Sequence, residues 1–249
     1  MNKVGQVAVV GIGPGNPNMM TEEVKLAIDQ ASDIVGYQTY VDRIAPRPGL
    51  TLHPSNNRVE LERARSAFEL AADGRKVVIV SSGDPGVFAM AAAVFEALES
   101  GDPAWQEIDV QILPGITSML AAAARLGAPL GHDFCAINLS DNLKSRDLIL
   151  NRVRMAARGD FVMSFYNPRS KSRPDFFAEI LDILGEECGA ERLIMFARAV
   201  STDEEELTVT TLGDATGEMA DMRTMVIVGS SMTRRVKGTR YVYSPRGAE

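Results

Sequence analysis

The chain has 249 residues, of which 45% are hydrophobic and 24% charged, and it carries a formal charge of −7. This composition is typical of a globular protein of one or two domains, and the acidic balance argues against general nucleic-acid binding, which depends on Lys and Arg. The sequence contains no apolar run of about 18 residues. The first three residues lead directly into a predicted strand, so we expect no membrane span, no signal peptide and a cytoplasmic location.

The cysteines and histidines show no metal-binding pattern. Cys135 and Cys188 are far apart and have no CxxC spacing, and neither His53 nor His132 stands at a recognisable spacing from them. We therefore expect two buried free thiols, no metal site and no catalysis centred on histidine.

The first predicted strand, 7–10, ends in the glycine-rich turn Gly11 to Gly15. Asn16 stands where a dinucleotide-binding loop has its third glycine, and the Lys-Ser/Thr pair of a nucleoside triphosphate loop is absent. Pro14 also lacks the N–H that a phosphate cradle would use. The turn is therefore either a tight connection or a loop shaped for close approach, and not a phosphate loop.

Strands and helices alternate as far as residue 126. Further strands are predicted at 33–37, 76–80 and 108–113, and helices at 21–32, 58–73, 87–99 and 118–125. Thr21 is a good N-cap, and the proline-containing stretch 45–57 is predicted to be a loop. This alternation predicts an open α/β sheet with helices on its faces, forming a first domain over residues 1–126.

A glycine- and proline-rich stretch, 127–131, predicts the junction to a second domain over residues 127–249. Strands are predicted there at 134–139, 161–165, 193–197, 207–211 and 225–228, with a short edge strand at 241–243, and helices at 146–157, 174–188 and 214–219. Residues 204–211 alternate between polar and apolar, so at least one antiparallel strand is expected. The second domain is therefore predicted to be mixed α/β.

Four strand ends carry more glycine, proline and small hydroxyl residues than simple turns need. They are Gly11 to Gly15, Ser82 to Pro85, Pro114 to Ser118 and Ser164 to Arg169. Ligands of open α/β sheets gather outside the carboxyl ends of the strands, so together these loops predict a ligand cleft between the domains.

These motifs resemble the tetrapyrrole methyltransferases that use S-adenosylmethionine. The resemblance rests on the order and spacing of GIGPG at 11–15, GDPGVF at 83–88 and PGITS at 114–118, followed by a second α/β half. Within that family, GYQTY at 36–40 and FYNPRS at 165–170 resemble most the precorrin methyltransferases of cobalamin biosynthesis, in the branch that also contracts the ring.

The resemblance implies that S-adenosylmethionine lies folded in the cleft between the two domains and leaves as S-adenosylhomocysteine. The implied cofactor residues are Pro14, Ser82, Gly83, Asp84, Val87, Thr117, Ser118, Phe165, Tyr166, Ala199 and Thr224. Gly13, Pro14 and Gly15 would face a precorrin substrate. Cationic side chains that follow the fourth loop are candidates for its carboxylates, namely Arg169, Lys171 and Arg173. Asp84 has a second interpretation as the N-cap of the following helix.

Catalysis of this kind would consist mainly of aligning the methyl donor with a carbon nucleophile in a water-poor cleft. Asp84, Tyr166 and Tyr40 are the candidates for a general base, and the residues do not decide among them. The resemblance also implies a homodimer. Two alternatives stay open: a sister enzyme acting at another precorrin position or on a cobalt-containing intermediate, and a non-catalytic tetrapyrrole-binding module.

Overall fold

The computed structural model describes residues 5–57 and 59–247. Contacts between residues divide the chain into two compact units, one up to Thr117 and one from Ser118 onward. The predicted domain boundary after residue 126 lies later than this division, because the intervening helix contacts strands of the second unit. Both units are α/β, as the alternation of elements predicts.

The first unit is built on a parallel sheet. Its strands are β1 (Gln6–Gly11), β2 (Asp33–Tyr37), β3 (Thr51–Ser55), β4 (Lys76–Ser81) and β5 (Asp109–Leu113). Its helices are α1 (Glu22–Gln30), α2 (Gln38–Val41), α3 (Glu60–Ala72) and α4 (Met90–Ser100). Among residues 5–57 and 59–117 the strand order is β3-β2-β4-β1-β5 with parallel neighbours, so the carboxyl ends share one edge.

The two central strands are covered on both faces, which explains their uninterrupted apolar sequences. On one face, Val9 and Ile79 pack with residues of α3 and α4, including Phe68. On the other face, Ala8 and Val78 pack against α1. Helix α1 begins as predicted, because the Thr21 hydroxyl accepts a hydrogen bond from the Val24 N–H at 3.3 Å.

Two predictions for this unit are wrong. The stretch 45–57 contains strand β3, an edge strand in which Pro54 lies opposite Gly36 of β2. The helix predicted from residue 87 begins only at Met90, because Phe88 has a left-handed backbone (φ 54°) and Ala89 is extended. Helix α3 lies where predicted, although Arg58, its predicted first residue, is outside the described residues.

The second unit contains a mixed sheet. Its elements are α5 (Ser118–Leu126), β6 (Gly127–Ala128), β7 (Phe134–Asn138), α6 (Arg146–Arg158), β8 (Val162–Tyr166), α7 (Phe176–Cys188), β9 (Leu193–Arg198), β10 (Glu206–Thr211), β11 (Thr224–Val228), β12 (Arg234–Arg235) and β13 (Val242–Tyr243). The order is β10-β9-β11-β8-β7 over the described residues after Thr117. Strands β7 and β8 are parallel, whereas β11 runs antiparallel to β8 and β9, and β10 runs antiparallel to β9. The predicted mixed sheet is confirmed.

The short predicted strand at 241–243 is also confirmed, as β13, which joins β6 and β12 in a small sheet. The predicted helix at 214–219 is wrong, because only the 3-10 turn Gly217–Met219 forms there. The main core of this unit lies between the sheet and helices α6 and α7.

Two buried or half-buried carboxylates fasten the sheets. In the first unit, Asp33 is fully buried at the start of β2 and accepts from Arg75 at 2.7 Å and from His53 at 2.8 Å. In the second unit, Asp160 accepts from the Arg192 guanidinium and from the N–H and hydroxyl of Ser231. Both carboxylates join segments that are distant in sequence.

Candidate functional site

Three glycines at neighbouring strand ends of the first unit touch through their main chains. A Cβ atom on Gly115 would lie 2.2 Å from the carbonyl oxygen of Gly83 and 2.5 Å from that of Gly11. Gly13 and Gly83 also exchange two backbone hydrogen bonds, of 3.2 and 3.0 Å. The close approach predicted for the first turn is therefore an approach of main chain to main chain, which joins the loops after β1, β4 and β5.

The Asp84 carboxylate ties two of these loops together. One oxygen accepts from the Gly86 N–H at 2.8 Å, and the other accepts from the Gly115 N–H at 3.0 Å. Helix α4 begins at Met90 with no side-chain cap, so the interpretation of Asp84 as a helix N-cap is wrong. Asp84 shapes the loop edge by bonding to backbone donors.

The glycine-rich turn is held from outside by an arginine that the sequence patterns did not single out. The Arg43 guanidinium donates to the carbonyl oxygens of Ile12 at 2.9 Å, Gly15 at 3.3 Å and Gly13 at 3.5 Å. Burial lowers the pKa of Arg43 from its ordinary value, and this effect is opposed by Tyr40. The carbonyl groups of Ile12, Gly13 and Gly15 are thus bonded to Arg43, while Pro14 is partly exposed.

Tyr40 lies on α2, which directly follows β2 at the same carboxyl edge. Its ring packs edge to face against Tyr37, with 5.3 Å between the centroids. Burial raises the pKa of the Tyr40 phenol, reinforced by Tyr37 and opposed by the positive charges of Arg43 and Arg63. The phenol is therefore protonated at neutral pH and can donate a hydrogen bond to a ligand.

The structure brings the candidates of the first unit to one edge, as parallel strand geometry requires. Gly13, Pro14 and Gly15 follow β1. The residues that follow β4 are Ser82, Gly83, Asp84 and Val87, and Thr117 is buried beyond the end of β5. These residues share the carboxyl edge of the first sheet.

The candidates of the second unit also share one edge of their own sheet. Strands β8 and β9 both run antiparallel to β11, so the ends of β8 and β9 lie at the start of β11. Tyr166, Ala199 and Thr224 are placed there, whereas Ser118 is the first residue of α5. The Phe165 side chain belongs to the hydrophobic core, so only its backbone faces this edge.

Two of these candidates have conformations fixed by local bonds. Ala199 is buried with a left-handed backbone (φ 47°), and its N–H donates to the Arg223 carbonyl oxygen at 2.9 Å. The Thr224 hydroxyl donates to the Asp221 carboxylate at 2.8 Å. A left-handed alanine costs on the order of 1 to 3 kcal/mol, and such strain clusters at functional sites.

The basic residues after β8 differ from one another. Arg173 is mostly buried and donates to the carbonyl oxygens of Leu139 at 2.9 Å and Asn167 at 3.3 Å, while pairing with Asp141 at 3.1 Å. Burial lowers its pKa, opposed by Asp141. Lys171 is exposed and Arg169 is half-buried, with its Nε bonded to the Pro174 carbonyl oxygen. Arg173 thus fastens the loops after β7 and β8, and the other two side chains are more accessible.

In the part of the chain that the structure describes, no group of three or more His, Cys, Asp or Glu side chains is arranged to hold a metal ion. Both cysteines are free and half-buried. Among the described helices, none combines the length and apolar character needed to cross a membrane.

Small-residue loops at the carboxyl edge of a parallel sheet, followed by a mixed α/β unit, define a ligand-binding α/β protein of two units. The family model of the tetrapyrrole (corrin/porphyrin) methylases matches residues 6–216, and the chain belongs to this family. The resemblance seen in the loop motifs is thereby confirmed.

Three similar proteins show which members of the family the chain resembles. The chain is 48% identical to a precorrin-3B C(17)-methyltransferase of Sinorhizobium sp, over 97% of this chain and 96% of that protein. The crystal structure of the methyltransferase CobJ has a TM-score of 0.94 and 63% identity, covering 97% of this chain and all of that one (100%). A probable cobalt-factor III C(17)-methyltransferase of Salmonella typhimurium is 38% identical over 97% of this chain and 98% of that protein.

Proposed function

We propose that the chain is an S-adenosylmethionine-dependent methyltransferase that methylates precorrin-3B at ring position 17, with ring contraction to precorrin-4, in cobalamin biosynthesis. The observation that carries this proposal is the 48% identity to a precorrin-3B C(17)-methyltransferase along almost the whole of both chains. The likeness to the CobJ methyltransferase at 63% identity supports the same activity.

The residues at the loop edge fit a cationic methyl donor. Within the described residues Asp84 forms no ion pair, and its charge is met only by the two backbone N–H groups of Gly86 and Gly115. A carboxylate without a cationic partner favours a positively charged group nearby. Bound S-adenosylmethionine supplies the methyl group on its sulfonium.

The residues proposed to hold that cofactor come from the loop motifs and from the neighbouring ends of β9 and β11. In the first unit they are Pro14, Ser82, Gly83, Asp84, Val87 and Thr117, and in the second unit Ser118, the Phe165 backbone, Tyr166, Ala199 and Thr224. Most of these residues have small side chains, which leave room for a ligand to approach the main chain.

Of the three candidates for proton transfer, Tyr40 has the role that is best defined. Both oxygens of Asp84 already accept backbone hydrogen bonds, which favours a role in shaping the loop. The raised pKa of Tyr40 makes it a proton or hydrogen-bond donor and not a base at neutral pH. Tyr166, at the end of β8, remains the candidate from the second unit.

For the tetrapyrrole, we propose that Gly13, Pro14 and Gly15 form a surface shaped by Arg43, and that Arg169 and Lys171 meet substrate carboxylates. Arg173 contributes by holding their loop, because its guanidinium is committed to Leu139, Asn167 and Asp141. The protein's main contribution is alignment, which can lower a barrier by about 7 to 11 kcal/mol at the extreme.

Mass spectrometry of the product tests the proposal directly. Incubation with precorrin-3B and S-adenosylmethionine should give one added methyl group on a rearranged macrocycle. Calorimetry should show binding of S-adenosylhomocysteine at micromolar concentration. A wild-type chain that neither binds this ligand nor transfers methyl would overturn the methyltransferase assignment and favour a non-catalytic tetrapyrrole-binding module.

A second candidate substrate is the cobalt-containing counterpart, favoured by the 38% identity to a probable cobalt-factor III C(17)-methyltransferase. A direct competition between precorrin-3B and cobalt-factor III, read as the ratio of the two products, decides between them. We expect the metal-free substrate to be preferred, because the more similar Sinorhizobium relative is named for it. A homodimer and a cytoplasmic location stay predictions, and light scattering of the purified chain tests the first.

A further inference from the structure

Within the described residues of the first unit, Arg43 and Arg63 are among the arginines that carry positive charge without a matching carboxylate. Arg63, on α3, is only 5% exposed, and it donates to the Ser55 hydroxyl at 2.8 Å, the Asn56 carbonyl oxygen at 2.7 Å and the Met90 sulfur at 3.2 Å. Arg43 donates to carbonyl oxygens of the glycine-rich turn. All of these acceptors are neutral.

In the described ranges, neither guanidinium lies within ion-pairing distance of an Asp or Glu side chain. Glu60 acts on Arg63 as a more distant charge, and it is exposed to solvent. A buried charge that is solvated only by neutral dipoles is costly, so such an arrangement is usually compensated by an opposite charge. We therefore expect a negatively charged group of a ligand to compensate the charges of these two guanidinium groups.

Burial raises the pKa of the Tyr40 phenol, and the positive charges of Arg43 and Arg63 both act against this effect. Helix α2 carries Tyr40 from the end of β2, and the Arg43 N–H donates to the Tyr40 carbonyl oxygen at 3.2 Å. The Ser55 hydroxyl, which accepts from Arg63, donates to the Gly36 carbonyl oxygen near the end of β2 at 3.0 Å. A neutral phenol in a positive field is a strong donor to an anionic oxygen, because the resulting hydrogen bond is charge-assisted.

We propose that Tyr40, Arg43 and Arg63 form a subsite for a carboxylate at the carboxyl edge of the first sheet. The Tyr40 hydroxyl is the direct hydrogen-bond donor, and the two guanidinium groups supply the positive field. The proposal deepens the proposed function, on which it rests, since both ligands of that reaction carry carboxylates. The cofactor has one, on its methionine part, and the tetrapyrrole has several on its rim.

The test uses the full chain with two ligands: S-adenosylhomocysteine by calorimetry and uroporphyrin III, an octacarboxylate tetrapyrrole, by fluorescence. Tyr40→Phe removes only the hydroxyl. It should lower the affinity for one of the two ligands about tenfold to a hundredfold, which corresponds to one hydrogen bond to a charged group. Tyr37→Phe, on the neighbouring ring, is the matched control and should bind both ligands as the wild type does.

The ligand that is weakened identifies the source of the carboxylate. If it is S-adenosylhomocysteine, its decarboxylated analogue should bind wild type and Tyr40→Phe equally. If it is uroporphyrin, the subsite belongs to the substrate. Glu60→Gln removes an exposed negative charge without disturbing the core. It should raise the affinity for the same ligand by about twofold to fivefold. Binding of both ligands within twofold of wild type by Tyr40→Phe overturns the subsite.

A failure of the methyltransferase assignment is distinguishable from a failure of the subsite. If the wild-type chain binds neither ligand, the ¹³Cζ tyrosine resonance that is lost in Tyr40→Phe is titrated with succinate. A saturable shift of that resonance, reduced in Arg63→Met, supports the subsite independently. If succinate causes no shift of that resonance, the subsite is overturned. If Arg63→Met does not fold, Glu60→Gln replaces it, and succinate should then bind more tightly than to the wild type.

Discussion

Replacement of Gly115 by alanine should destabilise the first unit strongly. The new Cβ would lie 2.2, 2.5 and 2.7 Å from main-chain atoms of Gly83 and Gly11. Because these are backbone atoms, no side-chain rotation relieves the overlap, and the loops must separate by roughly 1 Å to reach a normal contact distance. The Asp84 bond to the Gly115 N–H, at 3.0 Å, would be disturbed at the same time.

Overpacking of this kind costs typically 1 to 3 kcal/mol, and a contact made only of main-chain atoms belongs at the upper end, about 3 kcal/mol. For a chain of this size, that loss lowers the melting temperature by roughly 6 to 12 °C. Urea unfolding followed by circular dichroism measures the free energy, and calorimetry measures the shift in melting temperature.

Gly185→Ala is the matched control for this prediction. Gly185 is exposed within helix α7, and a Cβ there meets nothing within 4 Å, so alanine should stabilise the helix by up to about 1 kcal/mol. The reasoning about the glycine contact is refuted if Gly115→Ala unfolds within about 0.5 kcal/mol of the wild type.

Three further predictions concern carboxylates. Asp84→Asn leaves one acceptor oxygen for two backbone N–H groups, so stability should fall by about 1 to 3 kcal/mol and S-adenosylhomocysteine should bind more weakly in calorimetry; unchanged affinity would remove Asp84 from the cofactor site. Arg75→Met leaves the buried Asp33 carboxylate without its arginine and should cost about 3 kcal/mol or more in urea unfolding at pH 7; Arg75→Lys should recover part of the loss. Burial tends to raise the pKa of Asp160, but bonds from its serine and arginine partners outweigh this and leave the pKa below its ordinary value. Its contribution to stability is therefore present above the unfolded-state pKa of about 3.9 and lost as the pH falls through the lower folded-state value, so Asp160→Asn should flatten the acid side of the stability profile; an unchanged profile would contradict this.

The sequence predicts most of the strands because their apolar runs reflect burial on both faces of a sheet. Strand β3 was not predicted because it is only partly buried and contains Pro54. Proline is compatible with an edge strand, which β3 is, but in a sequence it indicates a loop. The helix predicted at 214–219 failed because Gly217 lies within a stretch too short to continue beyond one 3-10 turn.

The loop motifs located the candidate site, but the side chains that shape it were not predictable from local patterns. Arg43 acts on a turn about thirty residues earlier in the chain, and Arg63 is buried although its helix sequence looks like an exposed charged face. Such contacts depend on the order of the strands in the sheet, and the periodicity of the sequence does not predict them. Arg173 shows the converse, since its position suggested a free cation and the structure gives it three protein partners.

The contact among Gly11, Gly83 and Gly115 has a consequence for how this scaffold can diversify. Gly11 and Gly115 have no room for a Cβ atom, and Gly83 has a left-handed backbone (φ 64°), so we expect an alanine at any one of them to disturb the joint. We then expect differences in ligand preference to arise at side chains around the joint, such as those of Tyr40 and Arg43. We expect the main chain to be the constant part of this edge, and the neighbouring side chains to be the part on which selection for a new ligand can act.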